Sequence, residues 1–136
     1  MSKPIPPISK YMTTTPRTID GALTLAEAAK VMSESGIRHL PVMDQGKLIG
    51  IITDRDIAFV ESFGDVDPTK LSIDGAMRGE PYSVSPETPL DEVVATMAEM
   101  KYGSAVVMQN KHVVGVFTTV DACRALSELL STRLRK

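Results

Sequence analysis

Sliding the 136-residue sequence by 65 places lays it on itself. Met12 falls on Met77, Pro16 on Pro81, Leu25 on Leu90, Glu27 on Glu92, Met32 on Met97 and Glu34 on Glu99. Without a gap, Val42-Met43 then meets Val107-Met108, Gly50 meets Gly115, Thr53 meets Thr118 and Asp56 meets Asp121. That makes eleven identities in 46 positions from Met12 to Ile57. Many other pairs are conservative, such as Ile19 with Val84. A tandem duplication constrains the fold more than any local pattern, because one supersecondary unit must be built twice. A unit of ~60 residues buries only about 60% of its unfolded surface and is marginal alone. The pair is therefore the expected stable body, read as repeat 1 over 8–64, a linker over 65–74 containing Pro68, and repeat 2 over 75–132.

Each repeat reads β-α-β-β-α. Leu25, Ala28, Ala29 and Met32 fall at i, i+3, i+4, i+7, one face of an amphipathic helix, and Leu90, Val93, Val94 and Met97 repeat the spacing. Thr24-Leu-Ala-Glu27 has the form of a capping box that starts the first helix. Pro89 suits the first turn of the second. Two short β-rich runs follow, Arg38–Met43 and Lys47–Thr53, with Asp44-Gln45-Gly46 as the hairpin turn. Their counterparts are Ser104–Met108 and His112–Thr118 around Gln109-Asn110-Lys111. A last helix closes each repeat, from about Asp54 to Phe63 and from about Thr119 to Leu134. With short extended pieces at Thr18-Ile19 and Ser83-Val84, the fold class is α+β: two tandem repeats packed sheet against sheet as one pseudo-two-fold module.

Composition narrows the function. With 15 basic residues against 17 acidic the net charge is -2, which gives no reason to expect the broad basic face that duplex nucleic acid needs. No apolar run approaches the ~20 residues of a membrane span. The segment before Ile8 lacks the apolar core of a secretory signal, so a cytoplasmic location is expected. One cysteine, Cys123, makes neither an internal disulfide nor a zinc cluster, and its apolar helix suggests burial. Met32, Met43, Met97 and Met108 occupy equivalent positions and read as core filling. For catalysis the chain offers only His39, His112 and that cysteine, with no glycine-rich phosphate loop. An enzyme is not expected.

Gly36-Ile-Arg-His-Leu-Pro-Val42, Gly50-Ile-Ile-Thr53 and Asp56 resemble the strand and strand-to-helix motifs of the cystathionine β-synthase (CBS) domain. Val107, Gly115-Val-Phe-Thr118 and Asp121 repeat them. The second copy departs at Lys101, where the first has Gly36, and at Val106, where the first has Pro41. The resemblance runs from about Ile8 to Ser131. It implies a tandem pair, or Bateman module, acting here as a stand-alone regulatory module. Such pairs bind adenosine-containing ligands in clefts between their repeats and are usually attached to the enzyme, channel or transporter they control; for a stand-alone pair the resemblance implies a separate partner protein. AMP, ADP or ATP is the ligand expected, with NAD, S-adenosylmethionine and cyclic di-AMP as further members of the class.

Thr53 with Asp56, and Thr118 with Asp121, are the sharpest candidate site residues. Each pair fits a capping box, which alone explains it. The same turn offers a phosphate the helix N–H groups and a Thr hydroxyl, and a carboxylate can accept from a ribose diol. In the family the Asp holds the ribose and the Thr lies near phosphate. Arg38 and Arg55 are candidate phosphate partners by their guanidinium forks, with His39 beside them. Ile19, Leu40 and Pro41, facing Val84, Ala105 and Val106, would wall a purine, although core packing explains them equally. Thr18, Ile37, Gly103 and Ser104 complete the expected lining, and Tyr102 offers a face for a base. The second copy has Gly103 and Val120 where the first has Arg38 and Arg55, so the Asp56 site is expected to be the better phosphate site.

A homodimer is expected as well. Ala122, Ala125, Leu126, Leu129 and Leu130 form one long apolar stripe. Ile57, Ala58, Phe59, Val60 and Phe63 make the shorter helix apolar around much of its circumference. The alternative to a nucleotide sensor is a purely structural dimerisation module with degenerate pockets.

Overall fold

The computed structural model describes residues 4–14 and 17–134. Its strands are β1 (Thr13–Thr14), β2 (Ile19–Asp20), β3 (His39–Asp44), β4 (Lys47–Thr53), β5 (Arg78–Gly79), β6 (Ser83–Val84), β7 (Ser104–Gln109) and β8 (His112–Thr118). Its helices are α1 (Leu25–Ser35), α2 (Asp54–Glu61), α3 (Leu90–Met100) and α4 (Thr119–Arg133), with 3-10 turns at Ile8–Lys10 and Ile73–Gly75. The strands form two four-stranded sheets, ordered β2-β3-β4-β5 and β1-β8-β7-β6. The α+β class and the repeated β-α-β-β-α order follow the sequence pattern.

Local chemistry explains the elements. Thr24 caps α1 by accepting from the Glu27 amide, while its hydroxyl lies 3.4 Å from the Glu27 carboxylate. That gives the forward half of a capping box. Pro89 sits one residue earlier than expected, at the N-cap of α3. Both hairpins turn on two residues with positive φ: Gln45 (50°) with Gly46 (80°), and Asn110 (52°) with Lys111 (67°). That is the backbone a two-residue hairpin needs to match the twist of its strands. α2 is shorter than expected, stopping at Glu61.

The chain divides into two compact units whose edges differ from those of the repeats. Arg17–Pro81 forms one, and the described residues before Arg17 and from Tyr82 onward form the other. The first unit's core gathers Leu25, Ala28, Met32, Leu40, Val42, Ile52, Ile57 and Ile73. The second gathers Ile8, Leu90, Val93, Met97, Ala105, Val107, Phe117 and Ala125. Ile8 thus fills the core of the second repeat, and Ile73, expected in the linker, fills that of the first. Both are wholly buried.

These leading segments are attached in the same way, 65 residues apart. The Ile8 amide donates to the Thr88 carbonyl and the Ile73 amide to the Leu23 carbonyl, each at 2.8 Å. The Leu90 amide donates to the Pro6 carbonyl and the Leu25 amide to the Leu71 carbonyl. β1 then pairs with β8, and β5 with β4. Met12 lies over Gly115 and Met77 over Gly50, so close that a side chain at either glycine would collide. This explains two identities of the repeat together: the methionine is a strap, and the glycine is the flat place it crosses.

Cys123 is exposed, contrary to expectation, because on α4 the inward positions are Asp121 and Ala125. Of the four methionines read as core filling, Met32 and Met97 are buried, while Met43 and Met108 are half-buried at strand ends.

Candidate functional site

The two Thr-x-x-Asp turns sit where the second hairpin strand of each unit becomes its last helix. Thr53 caps α2 and Thr118 caps α4, each accepting from the amide of the Asp three residues on. In return one carboxylate oxygen, Oδ2, accepts from the Thr backbone amide, at 2.9 Å for both Asp56 and Asp121. These are complete capping boxes with Asp in the third position. The side chains of Asp56 and Asp121 are only 11% and 7% exposed. A carboxylate so nearly removed from water has to be paired. The remaining oxygen, Oδ1, faces an arginine in each case: Arg78 Nε at 3.4 Å from Asp56, and Arg124 Nη1 at 3.3 Å from Asp121.

Strand register brings other expected residues beside these turns. His39 is the partner of Thr53 across β3–β4, and Ser104 is the partner of Thr118 across β7–β8. The Arg38 carbonyl accepts from the Asp54 amide and the Gly103 carbonyl from the Thr119 amide. The first and third amides of each helix are therefore taken, which corrects the expectation of open N–H groups for a phosphate. Arg38 and Arg55 are exposed, and Arg38 lies 3.9 Å from Asp54.

The apolar candidates divide by sheet face. Leu40 and Ala105 point into the cores of their own units, and Ile19 joins the first core. Val84 packs at the edge of the second core, as Ile37 does at the edge of the first. Pro41 and Val106, one residue further along their strands, are wholly buried outside those clusters. Thr18 and Ile19 also line an open groove of about 430 Å³ between β2 and α1. Its rim mixes Arg17 and Lys30 with Asp20, Glu27 and Glu34, and neither Thr53 nor Asp56 reaches it. Alternating charge on an open surface selects no anion, so the two turns are the stronger site. Among the described residues no helix is long and apolar enough to cross a membrane.

The sequence model of the CBS domain matches the chain twice, over residues 8–62 and 72–128. The chain belongs to the CBS domain family. It is 32% identical to the L-aspartate semialdehyde sulfurtransferase of Methanocaldococcus jannaschii over 91% of its own length, but spans only 24% of that protein. The CBS domain pair of protein MJ0100, solved in complex with 5′-methylthioadenosine and S-adenosyl-L-methionine, is similar with a TM-score of 0.82 and 29% identity. That likeness covers 92% of this chain and 98% of the other. A hexameric CBS-CP12 protein from bloom-forming cyanobacteria is similar with a TM-score of 0.85 and 26% identity, covering 98% and 79%.

Where the second CBS repeat departs from the first, the backbone absorbs the change. Lys101 ends α3 with φ 59°, as Gly36 ends α1 with φ 66°, so the left-handed cap survives without glycine. Val106 has the amide that Pro41 lacks and donates it to the Tyr82 carbonyl at 2.8 Å. This extends parallel pairing one residue further back, and β6 begins at Ser83 where β2 begins at Ile19. Tyr102 stacks on Tyr82 of its own CBS unit, ring centroids 5.2 Å apart.

The reading of the sequence missed Arg78 and Arg124. Arg124 had a local signal, since i,i+3 spacing from Asp121 places them on one helix face. Arg78 had none beyond its place after the strap residue Met77.

Proposed function

We propose that this CBS pair is a non-catalytic regulatory module that binds an adenosine-containing ligand at Asp56 and Asp121 and relays its presence to a separate protein in the cytoplasm. The observation that carries this reading is the incomplete use of the two carboxylates. Each capping box engages Oδ2 and leaves Oδ1 to an arginine that is itself mostly in solvent. A carboxylate offers about four acceptor positions, so Asp56 retains two for the hydroxyls of a ribose, whereas Asp121, whose Oδ2 also accepts from the Thr118 hydroxyl at 3.3 Å, retains one. The complex of MJ0100 with two adenosine derivatives supports that ligand class. AMP, ADP and ATP head the candidates, followed by NAD, S-adenosylmethionine and cyclic di-AMP.

A thermal-shift screen of these six compounds tests the class, since a ligand at 100 Kd stabilises the folded form by about 2.7 kcal/mol. Calorimetric titration of the best ligand into Asp56→Ala and Asp121→Ala then tests the residues. Loss of the ribose hydrogen bonds should weaken binding by about ten- to a hundred-fold. The second reading, a dimerisation module without ligand, is favoured by the occupied helix amides. It requires that none of the six compounds raises the melting temperature.

Homodimerisation belongs to the same proposal. Phe59 is 66% exposed on α2, and Leu126 and Leu130 are 58% and 47% exposed on α4. A second copy would cover such apolar side chains. Light scattering at micromolar concentration should give twice the chain mass, and a monomer mass refutes it.

A further inference from the structure

We infer that Arg78 and Arg124 are the residues by which each Asp site prefers an anionic ligand over a neutral one; the inference rests on the adenosine reading above. Two equivalent carboxylates have recruited arginines from places that are not equivalent. Arg78 comes from the edge strand β5, held on β4 by its pairing with Ile51. Arg124 comes from the first turns of α4, three residues beyond Asp121. The 65-residue partners of these positions are Thr13 and Phe59, neither of them charged. The common outcome is a guanidinium at each Oδ1, reached by two routes.

Magnitudes decide whether such an arginine blocks the carboxylate or serves the ligand. The guanidinium side chains are 77% and 75% exposed, and each touches its Asp through a single nitrogen at 3.3–3.4 Å. Although each carboxylate is nearly buried, its cation stays in solvent and makes one long contact, so the pairing shifts an equilibrium by about five-fold. It is too weak to bar a ribose diol, whose hydrogen bonds to a carboxylate are worth about ten- to a hundred-fold. Each arginine also carries four further N–H donors in a planar fork suited to phosphate oxygens. A ribose seated on Asp56 holds its 5′ substituent one sugar ring away from that fork. A phosphate there gains a charge-assisted contact, whereas a neutral thioether gains none.

The expectation that the Asp121 site is the poorer phosphate site, drawn from Gly103 and Val120, is thereby altered, because Arg124 supplies the missing charge.

The probes are AMP and 5′-methylthioadenosine, titrated calorimetrically into the wild-type protein, Arg78→Gln, Arg124→Gln and Arg78→Lys at low and physiological salt. In wild type, AMP should bind more tightly, with a preference that shrinks as salt rises. Arg78→Gln should cut the AMP-to-methylthioadenosine preference at one class of site by about ten-fold, and Arg124→Gln at the other. Arg78→Lys should restore part of it, since charge remains and the fork does not. If wild type binds a probe but neither glutamine variant changes its preference, the arginines only neutralise their aspartates and the inference is wrong. If wild type binds neither probe, this inference is wrong, and if none of the six compounds binds either, the adenosine reading falls with it. Thermal melting of each variant confirms that the fold is retained, as the high exposure of both side chains requires.

Discussion

Replacing Ile8 by alanine should damage a repeat to which Ile8 does not belong in sequence. Its side chain is wholly buried among Leu90, Val93, Met97 and Phe117. The residues around it are anchored from both sides, by the Ile8 amide on Thr88 and the Leu90 amide on Pro6. They cannot close over the hole. An Ile→Ala change in such a place costs about 3 kcal/mol, within the usual 2–5. For a chain of this length that lowers the melting temperature by roughly 10 °C. Ile73→Ala should do the same to the other unit, because Ile73 fills the equivalent position with the same full burial. Ile5→Ala is the control, since Ile5 lies in the same leading segment but is half exposed. It should stay within about 0.5 kcal/mol of wild type. Calorimetric melting of the three variants decides the matter. Should Ile8→Ala melt like Ile5→Ala, the segment is a loose extension and the strap is wrong.

Three further predictions concern single positions. Lys101→Gly and Lys111→Gly each relieve a left-handed backbone and should raise stability by about 0.5–1 kcal/mol in urea unfolding, whereas Gly36→Ala should lower it by a similar amount. Gly50→Ala would place a Cβ 2.6 Å from the Arg78 carbonyl oxygen; it should cost about 1–3 kcal/mol in the same assay by lifting β5 from β4. The Asp67 carboxyl is held below the ordinary carboxylate value by hydrogen bonds from the Thr69 hydroxyl and amide. Its stabilising effect is therefore present above the unfolded value and is lost as pH falls through the folded one. Carboxyl NMR should show Asp67 titrating at lower pH than an ordinary aspartate and moving back up in Thr69→Ala.

The sequence made the strongly periodic parts legible. Leu25, Ala28 and Met32 announced the inner face of α1, and the hairpin turns could be placed because two-residue loops need residues that accept positive φ. Thr53 and Asp56 carried two readings at once, and the structure realises the capping one in full without exhausting the carboxylate. The straps were not legible. A three-residue 3-10 turn followed by a two-residue strand has no period, and Ile8 or Ile73 alone looks like any apolar residue in a loop. Arg78 was hidden for the same reason, since only the strap's docking brings it to Asp56. Cys123 was misjudged because an apolar helix still has an outer face, and Asp121 takes an inward place that hydrophobicity would deny it.

The straps also set the terms on which the chain could be divided. A piece cut at the compact unit, residues 17–81, retains its sheet, its core and the Arg78–Asp56 pair. One cut along the repeat, residues 8–64, leaves Ile73 and Met77 behind and carries an Ile8 with no core to fill. A solitary ancestral repeat, built like either half of this chain, would have carried its strap for a twin. Two such repeats could fill both cores only by exchanging leading segments, as the two halves of this chain do within one molecule.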